Sequence, residues 1–268
     1  MKVQDLLASL LDRYPLATAE AWDHVGLSAG DPSDEVRRVA VALDVTEAVL
    51  REAHARGCNV LITHHPVYIK APGAFCPPHR DASSSSGAVF TAIRLGISII
   101  SLHTNLDRSL EVRAKLPELL GASARSSLEF PEQPMNPGLG SLVDMPACTV
   151  EDLAARCADA FVTTPRVWGD PTCRVHTLAI LGGSLGDFGA QAIAAGADAI
   201  VCGEAGYHVC QDLAQRGICV ILLGHDASEL PFVDILANSV CESGIAPADV
   251  ATISTSHQWW TYTKGERS

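Results

Sequence analysis

Three apolar runs each end in residues able to hold a metal ion. The run 58–62 leads through Thr63 into His64-His65-Pro66. The run 97–102 leads into His103-Thr104-Asn105-Leu106-Asp107, and the run 219–223 into Gly224-His225-Asp226-Ala227-Ser228-Glu229. Imidazole and carboxylate together suit Zn, Fe, Mn or Ni. The runs read as buried strands, and in a parallel sheet such strand ends lie along one edge, where ligands bind. The repetition predicts a centre for two divalent cations.

Each group also has a plainer reading. Neighbouring strand residues face opposite sides, so His64 and His65 alone could be one core and one surface histidine. At the strand's end the chain turns, and Pro66 restricts His65 to extended backbone. Both rings can then reach one cavity, and the two other strand ends favour that reading. His225 and Glu229 are spaced i, i+4 at a predicted helix start and share a face, where the Glu229 carboxylate could bridge two cations. The alternative makes Ser228 or Asp226 a helix cap and Glu229 a favourable first-turn acid. Asp107 is a hard ligand in a loop, four residues after His103. His103 is a ligand or a proton-transfer group, and Asn105 reads as turn chemistry.

Glu204 and His208 follow another strand pattern, 199–202, and line the same cleft or simply start a helix. Gly182-Gly183-Ser184, also past a strand, offers backbone N–H groups to an anion, although it is no full phosphate-binding fingerprint. Cys202 and Cys219 belong inside strands. His54, His79, His176 and His257 lack partners in the pattern. Trp259 and Trp260 cannot both face a core, and one of them could cover a subunit contact.

The elements that must position these groups alternate. Val3, Leu6, Leu7, Leu10, Leu11 and Tyr14 share one face of a helix closed by Pro15. The strand 39–43, a helix 47–56 capped by Thr46 and stopped by Gly57, and the strand 60–63 form a strand-helix-strand unit whose crossover favours parallel pairing. A surface loop over 71–86 precedes a helix 87–95, the strand 97–102 and a helix 110–120. Further on come helices 150–161, 191–195, 208–216 and 229–243, with strands 177–181, 199–202 and 219–223. This is an α/β layered pattern. The segment 131–140, with its three prolines and two glycines, divides it into two related lobes, 1–130 and 131–268. The expected metal site lies in the cleft between them, with His225 and Glu229 supplied by the second lobe.

Composition narrows the function classes. With 47% hydrophobic and 19% charged residues the chain can build a core and does not read as disordered. A net charge of −12 without a Lys/Arg cluster argues against nucleic-acid binding. The start lacks a signal-peptide layout, and no apolar stretch is long enough to span a bilayer. The nine scattered cysteines, none in a Cys-x-x-Cys pair, read as reduced thiols of a cytoplasmic protein.

Taken together, His64-His65-Pro66, His103-Thr104-Asn105-Leu106-Asp107 and Gly224-His225-x-x-Ser228-Glu229 resemble the Nif-three-like dinuclear-metal proteins, commonly named GTP cyclohydrolase 1 type 2 homologues. Trp22-Asp23-x-Val25-Gly26-Leu27 and Gly203-Glu204-x-x-Tyr207-His208 extend the match. The resemblance implies His64, His65, Asp107, His225 and Glu229 as ligands of two metals, with Glu229 bridging and His103 and Glu204 as catalytic neighbours. It also implies a ring-shaped homohexamer with the metal sites opening to its interior. His24 departs from a usual Asn, Arg108-Ser109-Leu110-Glu111-Val112 from a Gly-Val-Asn-like segment, and Trp259-Trp260 from Pro-Phe. The expected chemistry is metal-assisted hydrolysis of GTP or a related nucleotide, opening the guanine imidazole ring at C8, or of a phosphoester. The opposing expectation is a non-catalytic hexamer that stores or delivers metal or acts as a scaffold.

Overall fold

A computed structural model describes residues 1–254 and 258–262. His257 lies outside the described residues. Among the described residues, eleven strands form two sheets. In chain order they are β1 (Gly26–Ala29), β2 (Val39–Ala42), β3 (Val60–Thr63), β4 (Ser98–Ser101), β5 (Ala124–Ser127), β6 (Ser141–Thr149), β7 (Arg166–Trp168), β8 (Arg174–Ile180), β9 (Ala199–Cys202), β10 (Cys219–Leu222) and β11 (Val250–Thr252). The α-helices are α1 (Val3–Arg13), α2 (Glu47–Ala55), α3 (Ser84–Leu95), α4 (Thr104–Asp107), α5 (Leu110–Leu119), α6 (Val150–Phe161), α7 (Gly189–Ala194), α8 (Tyr207–Gln215), α9 (His225–Glu229) and α10 (Pro231–Glu242).

The first sheet has the order β1-β4-β3-β2-β11 and the second β5-β6-β8-β9-β10-β7. Each contains a parallel trio, β2-β3-β4 in one and β8-β9-β10 in the other. The chain enters the second sheet at β5 and returns through α10 to add β11 beside β2.

β2, β3, β9 and β10 are buried along their whole length, which is why their sequences read as apolar runs, whereas β8 is continuously buried only in its second half. Their side chains still alternate. Val39 and Val41, Val60 and Ile62, Ala199 and Val201, and Ile221 point into a central core between the sheets, filled by α1, α5, α6 and α10. Ala40 and Ala42, Leu61 and Ile99 meet α2 and α3 on one outer face. Ile200, Cys202, Val220 and Leu222 meet α8 on the other, beside α7. Cys202 and Cys219 are buried, as expected of strand residues.

Local chemistry sets the helix ends. Thr46 Oγ1 accepts from Val49 N at 3.2 Å and caps α2, while Gly57 takes φ +76° just past its end. Ser83 Oγ accepts from Ser86 N, so α3 begins at Ser84 inside the segment expected to be loop. The helix expected over 229–243 is α10, and a separate short helix, α9, precedes it. α9 ends at Glu229, and Pro231, which has no N–H to continue it, starts α10.

Candidate metal centre

The carboxyl ends of both parallel trios converge. Ala42, Thr63 and Ser101 lie in register across β2, β3 and β4, so Asp44, His65 and His103 each emerge two residues later. In the second sheet Cys202 and Leu222 are in register, and Glu204 and His225 follow them. The ligand-bearing strand ends therefore belong to two different sheets, β3 and β4 in one and β10 in the other.

Local hydrogen bonds hold the histidine pair. Thr63 and Ser101, both fully buried, direct their hydroxyls at the His65 carbonyl, at 2.8 and 3.3 Å. His65 N donates to Leu43 O at 2.9 Å and continues the ladder past the strand. His64 is fully buried, its ring edge-on to Phe232 at 5.1 Å between centroids.

Every histidine of the cluster has its Nδ1 against a group that only accepts. His64 Nδ1 donates to Leu102 O at 3.0 Å, and His65 Nδ1 to Asp44 Oδ1 at 2.7 Å. His103 Nδ1 donates to Asp23 Oδ1 at 2.8 Å, and His225 Nδ1 to Glu204 Oε1 at 3.1 Å. This pairing sets ring orientation and leaves Nε2 as the available ligand atom, as in metal-binding histidines.

Glu229, 4% exposed, stands at the middle. Its Oε2 lies 2.8 Å from His65 Nε2 and 3.2 Å from His225 Nε2. Its Oε1 lies 3.7 Å from His64 Nε2, which is also 3.5 Å from Asp107 Oδ1. Donors around a cation bound at about 2.1 Å stand roughly 3.4 Å apart in a tetrahedron, close to these spacings. Among the described residues, three groups have ligand atoms within 4.8 Å of one another: His65-His225-Glu229, His64-Asp107-Glu229 and His64-His65-His103.

The cluster also carries a vacancy in hydrogen bonding. Among the described residues, His64 Nε2 is buried without a hydrogen-bond partner. Such an orphaned atom costs about 1–3 kcal/mol, and a cation held between Asp107 and Glu229 would satisfy it. The donor set of imidazoles and carboxylates fits that role. These residues could hold metal ions.

Charge is shared unevenly within the cluster. Burial opposes a charge on His65, but Asp44 and Glu229 outweigh it and raise its pKa to about 10. Glu229 raises His225 to about 9 against the cost of burial, with help from Glu204. Burial would raise Glu229, yet His225, His64 and His65 hold its carboxyl well below the usual range. Asp107 goes the other way: burial raises it, reinforced by the negative charge of Glu229. Asp23 is buried too, but His103 and Thr104 hold its carboxyl below the ordinary range.

The Duf34/NIF3 (NGG1p interacting factor 3) family pattern matches residues 1–257. The chain belongs to the Duf34/NIF3 family. A relative from Streptomyces coelicolor named GTP cyclohydrolase 1 type 2 homolog is 32% identical over 267 residues, covering 96% of this chain and 88% of that protein. Another of the same name, from Clostridium acetobutylicum, is 30% identical over 244 residues and 90% of each chain. The crystal structure of a Staphylococcus aureus hypothetical protein superposes with TM-score 0.86 at 26% identity, covering 98% of this chain and 99% of that one. A Bacillus cereus protein related to NIF3 shares the fold at TM-score 0.81 and 21% identity, over 97% and 98% of the chains.

Within this Duf34/NIF3 chain the structure brings His64, His65, His103, Asp107, His225 and Glu229 into one cluster. Glu204 meets it through His225. Asp107 sits at the end of the short helix α4, with His103 at that helix's N-cap, where the pattern suggested a loop. Asn105 makes the expected turn contact, accepting from His103 N at 3.0 Å. His208 is exposed and packs on Tyr207 at 5.2 Å, outside the three metal-competent groups. His54, His79 and His176 are also outside them.

Gly182-Gly183-Ser184 does not offer a free Gly183 N–H to an anion, because that group donates to Ser228 Oγ at 2.9 Å. Its role is close approach. A Cβ on Gly183 would stand 2.3 Å from Glu229 Oε1.

Asp44 and Asp23 were not singled out from the sequence as partners of the cluster. A signal existed for Asp44, since it closes the buried run 39–43 as the histidines close theirs.

Proposed function

We propose that this protein is a dinuclear-metal hydrolase of the GTP cyclohydrolase 1 type 2 kind, acting on GTP or a related nucleotide. One observation carries the reading: Glu229 turns Oε2 toward His65 and His225 and Oε1 toward His64, beside Asp107. A carboxylate divided in this way is suited to bridging two cations. The names of the Streptomyces coelicolor and Clostridium acetobutylicum relatives support the substrate class.

Bound divalent cations would supply Lewis-acid activation of water near neutral pH. The chain's own residues do the rest. Asp44, Asp23, Glu204 and the Leu102 carbonyl orient the imidazoles. His103, partly exposed and held by Asp23, exchanges protons with the reacting group. Glu204, with 56% of its side chain exposed, passes protons between His225 and solvent at the mouth.

The working assembly in this reading is a homohexamer in the cytoplasm. The nine cysteines, all free thiols, suit a reducing compartment. Among the described residues no helix is long and apolar enough to cross a membrane.

The test loads purified protein with metal and offers GTP and a panel of phosphoesters. Turnover that disappears in Glu229→Ala, with the oligomer mass unchanged by light scattering, supports the hydrolase. Tight metal binding without turnover on any substrate sinks it in favour of metal storage or delivery.

A further inference from the structure

Asp107 and Glu229 reach His64 from different sheets. Asp107 ends α4, which follows β4 of the first sheet, and Glu229 ends α9, which follows β10 of the second. Asp107 Oδ1 stands 3.5 Å and Glu229 Oε1 3.7 Å from His64 Nε2. That spacing depends on how α4 is held against the second sheet. α4 has four residues, and a helix that short does not hold itself.

Both ends of α4 are gripped from outside. At its start Thr104 donates from N to Asp23 Oδ2 at 3.0 Å and from Oγ1 to the same oxygen, while Asn105 Nδ2 donates to Tyr14 O at 2.8 Å. At its end stands Arg108, with 12% of its side chain exposed. The guanidinium forks onto Glu129, Nε to Oε2 at 2.9 Å and Nη2 to Oε1 at 3.3 Å. Nη2 also donates to Glu20 Oε1 at 2.6 Å, and Nη1 to Thr18 O at 3.3 Å. Forked bonds to one carboxylate fix the guanidinium plane as well as its position.

Glu129 belongs to the connection between β5 and β6 of the second sheet. Its Oε2 also accepts from Leu139 N at 2.9 Å, and the Arg108 carbonyl accepts from Gly138 N at 3.0 Å. The residue next to Asp107 is thus latched to the second sheet through side chain and backbone together. Among the described residues no ion pair joins Arg108 to Asp107 itself.

We infer that Arg108 is a positioning residue for one of two metal positions. The latch sets Asp107 against Glu229 at His64. The other position, between His65, His225 and Glu229, uses no residue of α4 and fills without the latch. The inference rests on the dinuclear reading above and gives the two positions separate controls. Arg108 stands in the segment where this chain departs from the Gly-Val-Asn-like pattern of the proteins it resembles.

Zinc binding by the full chain tests it, read by elemental analysis after gel filtration and by competition against a chelator. The wild type binds one ion at the His65-His225 position and a second at the Asp107 position. Arg108→Gln keeps the first at wild-type affinity and weakens the second about 10–100-fold, as on loss of an orienting partner. Glu129→Gln, which breaks the fork from the other side, does the same. Arg108→Lys falls between, because an ammonium cannot make the fork. Adding Arg108→Gln to Asp107→Asn weakens the second ion no further, since both act through one ligand. The first ion, kept throughout, reports an intact fold. A lower Tm with both zinc affinities unmoved in Arg108→Gln and Glu129→Gln overturns the latch and leaves the dinuclear reading standing. Equal weakening of both ions in these two variants also overturns the latch. A wild type that binds fewer than two ions overturns the dinuclear reading and the latch together.

Discussion

Asp44 Oδ1 lies 2.7 Å from His65 Nδ1, and the same ring turns Nε2 to within 2.8 Å of Glu229 Oε2. A residue outside the metal-competent groups thus sets the direction of one inside them. Asp44→Ala frees the ring to rotate without removing any ligand. Losing such an orienting partner typically weakens metal affinity about 10–100-fold. Competition against a calibrated chelator measures this, and a variant with wild-type affinity would show that Asp44 does not orient the ring.

Metal uptake should release protons. In the metal-free protein His65 and His225 have pKa values raised to about 10 and about 9, so both rings carry protons at neutral pH that a cation must displace. Apparent affinity therefore rises with pH up to that range and falls as the solution is acidified. Calorimetry in two buffers of different ionisation enthalpy counts the protons. The stability linkage has the opposite slope. A raised histidine pKa stabilises the metal-free fold fully below the ordinary value of about 6.5, and the contribution is lost as pH rises through 9 to 10.

Gly183 permits the backbone of the second sheet to approach Glu229. It has φ +62°, and a Cβ there would meet Glu229 Oε1 at 2.3 Å. Gly183→Ala must displace the carboxylate or the loop, at a cost of about 1–3 kcal/mol. The expected outcome is fewer metal ions bound per chain by elemental analysis, together with a lower Tm.

The centre joins β3 and β4 of one sheet to α9 beyond the other, so metal should hold the two sheets together. A ligand that binds only the folded state at 100 times its Kd adds about 2.7 kcal/mol. Chelation should lower Tm, and refilling with divalent cation should restore it. An unchanged Tm on stripping a metal-loaded sample would argue against a site spanning the cleft.

The site was legible where burial forced a simple pattern. β2, β3, β9 and β10 are enclosed on both faces, so 39–43, 60–63, 199–202 and 219–223 stand out as apolar runs. Their ends announce His64, His65 and His225 directly. Of the remaining strands, β6, β7 and β11 were hidden. β6 mixes exposed Asp144, Pro146 and Ala147 with buried residues, and its pairing with β8 shifts register between Asp144 and Cys148. β7 and β11 have three residues each and sit at sheet edges. Asp23 was out of reach for another reason. It meets His103 across 80 positions of sequence, and no local periodicity encodes such a pairing. The order of strands within each sheet was also out of reach, because the apolar runs alone do not specify it.

The most direct measurement is anomalous diffraction from metal-loaded crystals, with data collected at the absorption edge of the added metal. Two peaks are expected, one between Glu229 Oε2 and the His65 and His225 Nε2 atoms and one between Glu229 Oε1, His64 Nε2 and Asp107, each at about 2.0–2.2 Å from its ligands. A fully loaded crystal with no peak beside Glu229, or with its metal bound elsewhere, would contradict the account.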